Sequence, residues 1–308
     1  MTEEHSQPHR RYESAPAPER DSHEVAVATA LDAVTTDGWT YLLDAGSATL
    51  RAYLRTATRR STTTPAVRAL LAPAAVRVVD DEFLAGTAAA ALIEADRLVV
   101  RRRQPDAGSA DRGESATSRT ARSPLIVGPE RAVAVVETPG GVTARRLDAG
   151  HETRATCAAA WERAPRVAVA YPTRSRLVRT LEAACGSAVA ADFGETVALA
   201  GQRGDDQFDP VAVAVVVAAK HELANARLVE WAETTGLAAP STVSERKRRL
   251  QRDDGPVRPD YTVRGRTHGL RLAPTVPDDP DPATLLSLAA AWDTPVEDPS
   301  DDSPLPTP

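Results

Sequence analysis

Three consecutive stretches in the last third of the chain decide its reading: Asp209-Pro-Val-Ala-Val-Ala-Val-Val-Val-Ala-Ala-Lys220, Leu228-Val-Glu-Trp-Ala-Glu-Thr-Thr-Gly-Leu237 and Ser241-Thr-Val-Ser-Glu-Arg-Lys-Arg-Arg-Leu250. Each carries a short helical pattern. Asp209 is suited to accept from the free amides at a helix start, and Pro210 loses no hydrogen bond at the first helical position. A glycine turn precedes the third stretch, and that stretch gathers cations. Together they predict a helix-turn-helix. The arginine-rich segment Val257–Leu272 then reads as a hairpin, placed where the wing of a winged helix belongs.

Placing the residues of Ser241–Arg252 at helical angles puts Val243 and Leu250 on one face, flanked by Arg246 and Lys247. Ser241, Glu245, Arg248, Arg249 and Arg252 point the other way. A recognition helix needs that division, with apolar residues anchoring it and donors reaching the major groove. The planar fork of arginine matches the two acceptors of a guanine edge, and Glu245 suits a cytosine amine. Arg264, Arg266 and His268 fall at the expected wing tip, where they would meet backbone or minor groove. From Ser241 to Ala273 nine cations face four acids, a local charge of +5 in a chain of net charge −6. Beyond Ala273 eight acids meet no base at all. Such polarity is expected where one small surface must meet phosphates.

The rest of the chain bounds the alternatives. At 308 residues it is long enough for two domains with cores of their own. Only Lys220 and Lys247 among its 37 basic residues are lysine, and Ile93 and Ile126 are the only isoleucines, a bias that fits a GC-rich, salt-loving source. No apolar run is long enough for a membrane span, and the first twenty residues are no signal peptide, so a soluble, cytoplasmic protein is expected. Cys157 and Cys185 lack a CxxC spacing and read as small apolar residues. His221-Glu222 opens like a zinc-protease helix, but Asn225 stands where the second ligand belongs. No nucleophile elbow, phosphate loop or dinucleotide fingerprint occurs. Neither an enzyme nor a metal or cofactor is expected.

Upstream, residues 1–22 are charged and proline-bearing and read as a disordered tail. Over 23–164 the pattern predicts helix Glu24–Val34, strand Thr40–Asp44, helix Ala48–Thr56, strand Val76–Asp80 leading into helix Asp81–Ala95, and strand Leu98–Arg102. A flexible loop at 103–123 follows. Then come a hairpin of Pro124–Val127 with Arg131–Glu137, strand Val142–Leu147 and helix Glu152–Arg163. Alternating strands and helices imply an α/β domain with a small, mostly parallel sheet and a β-hairpin. Helices Leu177–Cys185 and Ala188–Ala200 read as a connector at 165–208, leading into the α+β winged helix-turn-helix at 209–273. An acidic tail at 274–308 holds one short helix, 282–292. Trp161 and Trp231 read as core.

The run Leu177-Val-Arg-Thr-Leu-Glu-Ala-Ala-Cys-Gly186, the capped helix from Asp209, the Leu228–Leu237 helix, Ser241-Thr-Val-Ser244 and, upstream, Val76-Arg-Val-Val-Asp-Asp-Glu-Phe-Leu84 together resemble the haloarchaeal TbsP family of transcriptional regulators over about residues 23–290. The resemblance implies a DNA-binding regulator with an α/β N-terminal domain and a winged helix. It also implies control of central carbon metabolism genes. By position it makes Ser241, Thr242, Ser244, Arg248 and Arg249 DNA-facing. The chain departs from the family pattern at Gln251–Val257, which is one residue longer, and at the wing, where Arg264-Gly-Arg-Thr-His268 stands.

Double-stranded DNA is therefore the expected partner, met as a homodimer, since paired half-sites multiply specificity. A second reading makes the chain an interaction module docked on another transcription regulator. A third has the α/β domain sense a metabolite in the crevice at the carboxyl ends of its strands, with no polar cluster to name the ligand.

Overall fold

A computed structural model describes residues 17–34, 38–60, 64–103, 123–139, 141–147, 151–204, 208–252, 255–260 and 269–290. The chain divides into two compact units between Ala170 and Tyr171. The loop expected at 103–123 falls almost wholly outside the described residues, as do Trp292 and the first sixteen positions.

The first unit contains α1 (Ala17–Val34), β1 (Thr40–Ala45), α2 (Ser47–Arg59), β2 (Val67–Leu71), α3 (Pro73–Asp81), α4 (Phe83–Glu94), β3 (Leu98–Arg102), β4 (Leu125–Val127), β5 (Ala132–Thr138), β6 (Gly141–Leu147) and α5 (His151–Arg163). Its sheet has the order β3-β2-β1-β4-β5-β6. Parallel pairing joins β1 to β2 and β2 to β3, while β4, β5 and β6 are added antiparallel. Four strands (β1, β2, β3, β5) thus run one way, and β4 and β6 run against them. The α/β unit with parallel core and hairpin is as the sequence implied.

Two faces of this sheet are covered unequally. Leu42, Val67, Ala69, Leu71, Val100, Ile126 and Val133 pack with α1, α2, α3 and α4 in the larger core. On the other face Tyr41, Leu43, Leu70, Val127 and Ala132 pack with Cys157, Trp161 and Ala164 of α5. The hairpin turn at Gly128 lies close to the end of α1, where an added Cβ would stand 2.6 Å from the Val34 carbonyl oxygen.

Three boundaries differ from the sequence reading. Val76–Asp80 is not a strand but the body of α3. Pro73 starts that helix, and Ala75, Val76, Val78 and Val79 share its buried side, so tertiary burial overrides the β preference of the valines. The strand lies earlier, in the five-residue β2. Helix α1 begins at Ala17, within the stretch expected to be a disordered tail.

The second unit contains α6 (Arg174–Cys185), α7 (Ser187–Arg203), α8 (Pro210–Lys220), α9 (Asn225–Thr235), α10 (Pro240–Leu250), β7 (Val257–Asp260), β8 (Gly269–Leu272) and α11 (Pro282–Ala290). Read from sequence as a connector, α6 and α7 pack within this unit: α6 lies against α7 and α9, and α7 against α8 and α11. Helix α8 is its axis, since every residue from Val211 to Ala219 is buried. A nine-residue all-apolar stretch of helix needs neighbours on every side, and α7, α9, α10, α11 and the β7–β8 hairpin supply them.

Candidate nucleic-acid interface

The site is assembled from the start of α8 outward. Asp209 caps α8 as expected: its Oδ1 accepts from the Val211 and Ala212 amides at 2.8 and 3.0 Å. Its Oδ2 accepts from Arg246 Nε of α10 at 2.5 Å. One carboxylate thereby closes the amino end of α8 and clamps α10 to it. We predict that Asp209→Ala lowers unfolding free energy by about 1.5–3 kcal/mol through loss of both cap and ion pair. Asp209→Asn, which still caps, should recover roughly 1 kcal/mol of that. Denaturant melts check both, and two variants within 0.5 kcal/mol of the parent would refute the clamp.

Helix α9 ends on Gly236, whose φ of +71° only glycine adopts without strain. The chain then turns through Leu237–Ala239 into α10, where Pro240 occupies the first position and Ala239 offers no side-chain cap. Val243 and Leu250 are fully buried. Ser241, Arg248 and Arg252 are exposed, and Thr242, Ser244, Glu245, Lys247 and Arg249 are half-buried. The apolar face expected from the sequence is the one observed, over 240–250 rather than 241–252. Of the expected outer face, Ser241 and Arg248 are exposed on the helix, Glu245 and Arg249 are half-buried, and Arg252 lies beyond its end. Two features escaped the sequence reading. Arg246 is held by Asp209, and Glu245 accepts from Arg249 at 2.6 Å while lying 3.4 Å from Arg246. Residues 246 and 209 are too far apart in sequence for any local pattern to join them.

Strands β7 and β8 pair antiparallel from Val257↔Leu272 to Asp260↔Gly269. Gly269 also bridges Ala224, and the Leu270 amide donates to the Leu223 carbonyl at 3.0 Å. The hairpin is thus stitched to the turn between α8 and α9. Arg258 reaches back to donate to the Arg252 carbonyl at 3.0 Å. Arg264, Arg266 and His268 lie outside the described residues.

Behind the motif, Lys220 at the end of α8 meets Asp192 of α7 at 2.9 Å and Asp279 at 2.7 Å, and donates to the Pro280 carbonyl. His221 lies 2.8 Å from the same Asp192. Asp281 accepts from the Thr284 amide and caps α11. Burial pulls the Lys220 pKa down, but its bonds to Asp279 and Asp192 outweigh burial and the net shift is upward from 10.5. Hydrogen bonding to Lys220 holds Asp279 below the ordinary 3.8, and the Thr284 amide does the same for Asp281. Depressed carboxylates contribute above their unfolded pKa and lose that contribution as pH falls through the folded value. The melting difference between the parent and Asp279→Asn/Asp281→Asn should therefore be present at neutral pH and vanish well below pH 3.8. A difference that persists at that acidity would exclude this seat for α11.

Elsewhere, burial pushes the thiol pKa values of Cys157 and Cys185 up. Among the described residues no group of three or more His, Cys, Asp or Glu is placed to hold a metal, and no helix is long and apolar enough to cross a membrane.

A helix-turn-helix whose third helix is anchored by two apolar residues, followed by a hairpin stitched to the motif, defines a winged-helix DNA-binding regulator, here preceded by an α/β unit. Two family models match: "Transcriptional regulator TbsP-like, N-terminal" over residues 18–172 and "Transcriptional regulator TbsP-like, C-terminal HTH domain" over residues 173–258. The chain belongs to the TbsP-like family of transcriptional regulators. No curated protein and no solved structure matches it.

Proposed function

We propose that this regulator reads specific duplex sequences by laying α10 in the major groove, as a homodimer, in a haloarchaeal cytoplasm. Ser241, Thr242, Ser244, Glu245, Arg248 and Arg249 carry the contacts from α10, joined by Arg252 just beyond its end and by Arg264, Arg266 and His268 on the wing. The observation that supports this best is the polarity of α10, with Val243 and Leu250 buried and Ser241 and Arg248 exposed. The uncapped amino end at Ala239 adds backbone amides suited to a phosphate. Control of central carbon metabolism genes rests on the family resemblance. The N-terminal unit is read as the regulatory, ligand-sensing part.

Selection of bound duplexes from genomic fragments, at stated salt, tests the proposal. Discrete enriched promoters are expected. Recovery of all fragments alike would sink sequence reading, and co-purification with another regulator would then favour the interaction-module reading.

A further inference from the structure

We infer that the α5 side of the N-terminal sheet holds a binding site for a small phosphate monoester, built by Arg68, Arg101 and Arg154 around Trp39, Tyr41 and Trp161. This names a ligand class for the sensing role proposed above and rests on that reading.

Strand register brings the residues together. Tyr41 pairs with Arg68, and Leu70, two residues on, pairs with Arg101. Side chains alternate along a strand, so Tyr41, Arg68, Leu70 and Arg101 share the face covered by α5. The Arg68 guanidinium lies 5.1 Å from the Trp39 ring, 5.9 Å from Tyr41 and 6.0 Å from Trp161. Arg101 lies 4.7 Å from Trp161, and Arg154, from α5, lies 5.4 Å from Tyr41. Aromatic faces take up the flat sides of a guanidinium but leave its N–H groups, which lie in its plane, free for an oxyanion.

Only part of that donor capacity is used. Arg68 donates to the Tyr41 hydroxyl, Arg101 to the Trp161 and Glu162 carbonyls, and Arg154 to the Trp39 carbonyl. Arg101 Nε and Arg154 Nη1 are buried with no hydrogen-bond partner. Charge is equally uncompensated. On the other side of the sheet carboxylates answer the arginines: Arg51 with Glu82, Arg55 and Arg59 with Glu24, Arg60 with Asp32. Arg103 likewise meets Asp44. Among the described residues no carboxylate pairs with Arg68 or Arg154, and Arg101 has only the exposed Glu162 at 3.8 Å. Three cations, two orphaned buried donors and one distant acid describe a receptor for a multiply charged oxyanion. A phosphate, with three acceptor oxygens and up to two charges, fits three guanidinium forks better than a carboxylate does. The cluster runs from the starts of β1 and β2 to Arg101 near the end of β3, along the sheet face under α5 rather than in the carboxyl-end crevice expected from the sequence.

The full-length protein is titrated with inorganic phosphate and with glycerol phosphate, at ionic strength held constant with potassium chloride. Tryptophan emission and melting temperature are followed together. A saturable emission change with a rise in melting temperature is expected, because Trp39 and Trp161 line the site. Arg68→Gln and Arg154→Gln should each weaken apparent affinity by at least about tenfold, while Arg163→Gln, on the exposed side of α5, leaves it unchanged. The site is refuted if the parent shows no saturation, or responds equally to chloride. It is refuted too if folded Arg68→Gln and Arg154→Gln bind as the parent does. The parent titrations decide even if a variant fails to fold. Phosphate binding that leaves DNA affinity unaltered would uphold the site and overturn the sensing role.

Discussion

Replacing Trp231 by alanine should cost about 3–5 kcal/mol and lower the melting temperature of the second unit by roughly 10–15 °C. The indole is buried, packs edge-on against Phe193 of α7 at 5.6 Å, and donates Nε1–H to the Thr180 hydroxyl of α6 at 3.1 Å. Its loss removes a large apolar area, an aromatic pair and the hydrogen bond across three helices. Trp231→Phe keeps most of the area, so its cost should be about 1–1.5 kcal/mol. Denaturant unfolding of both variants separates packing from the hydrogen bond. A cost under about 1.5 kcal/mol for alanine would show that α6 and α7 are not structurally committed to the helix-turn-helix. A fragment beginning at Asp209 should likewise fail to fold, since Trp231 would be without Phe193 and Thr180.

The second large effect concerns recognition. Arg248→Ala/Arg249→Ala should weaken binding to enriched duplexes by at least about a hundredfold, at about 1–3 kcal/mol per bidentate pair. For every phosphate that the variant no longer neutralises, the slope of log affinity against log salt should also fall by about one. Arg248 is exposed, whereas Arg249 is held by Glu245. Glu245→Gln should therefore act in the opposite sense, freeing Arg249 to seek phosphate and relaxing sequence preference. Quantitative binding at three salt concentrations, on selected and scrambled duplexes, resolves the two effects. Equal affinity and slope for the parent and the double variant would remove α10 from the reading role. Arg246→Ala is a different experiment, because that side chain fastens the helix through Asp209 rather than facing outward.

What was legible in the sequence follows from how local each signal was. The α8–α10 motif was readable because Asp209-Pro210 marks a start, Gly236 marks a turn, and Val243 with Leu250 mark an inner face, all within a few residues of what they control. The same holds for the hairpin at Leu125–Val136. Val76–Asp80 was misread because a run of β-branched residues looks alike in a buried helix and a strand, and only packing separates them. The Arg246–Asp209 clamp and the Arg68, Arg101 and Arg154 cluster left no trace in spacing. Their members stand on elements dozens of residues apart and meet only through sheet register and helix docking.

In the reading proposed for α10, the clamp between Asp209 and Arg246 separates mounting from base contact within one helix. Mounting is assigned to Val243, Arg246 and Leu250, on the inner side, and none of these is proposed to touch a base. Ser241 and Arg248, both exposed, take no part in that mounting. On that proposal, substitutions at the exposed positions would alter sequence preference while the scaffold stays constant. So placed, α10 would serve as an interchangeable reading head on a fixed carriage.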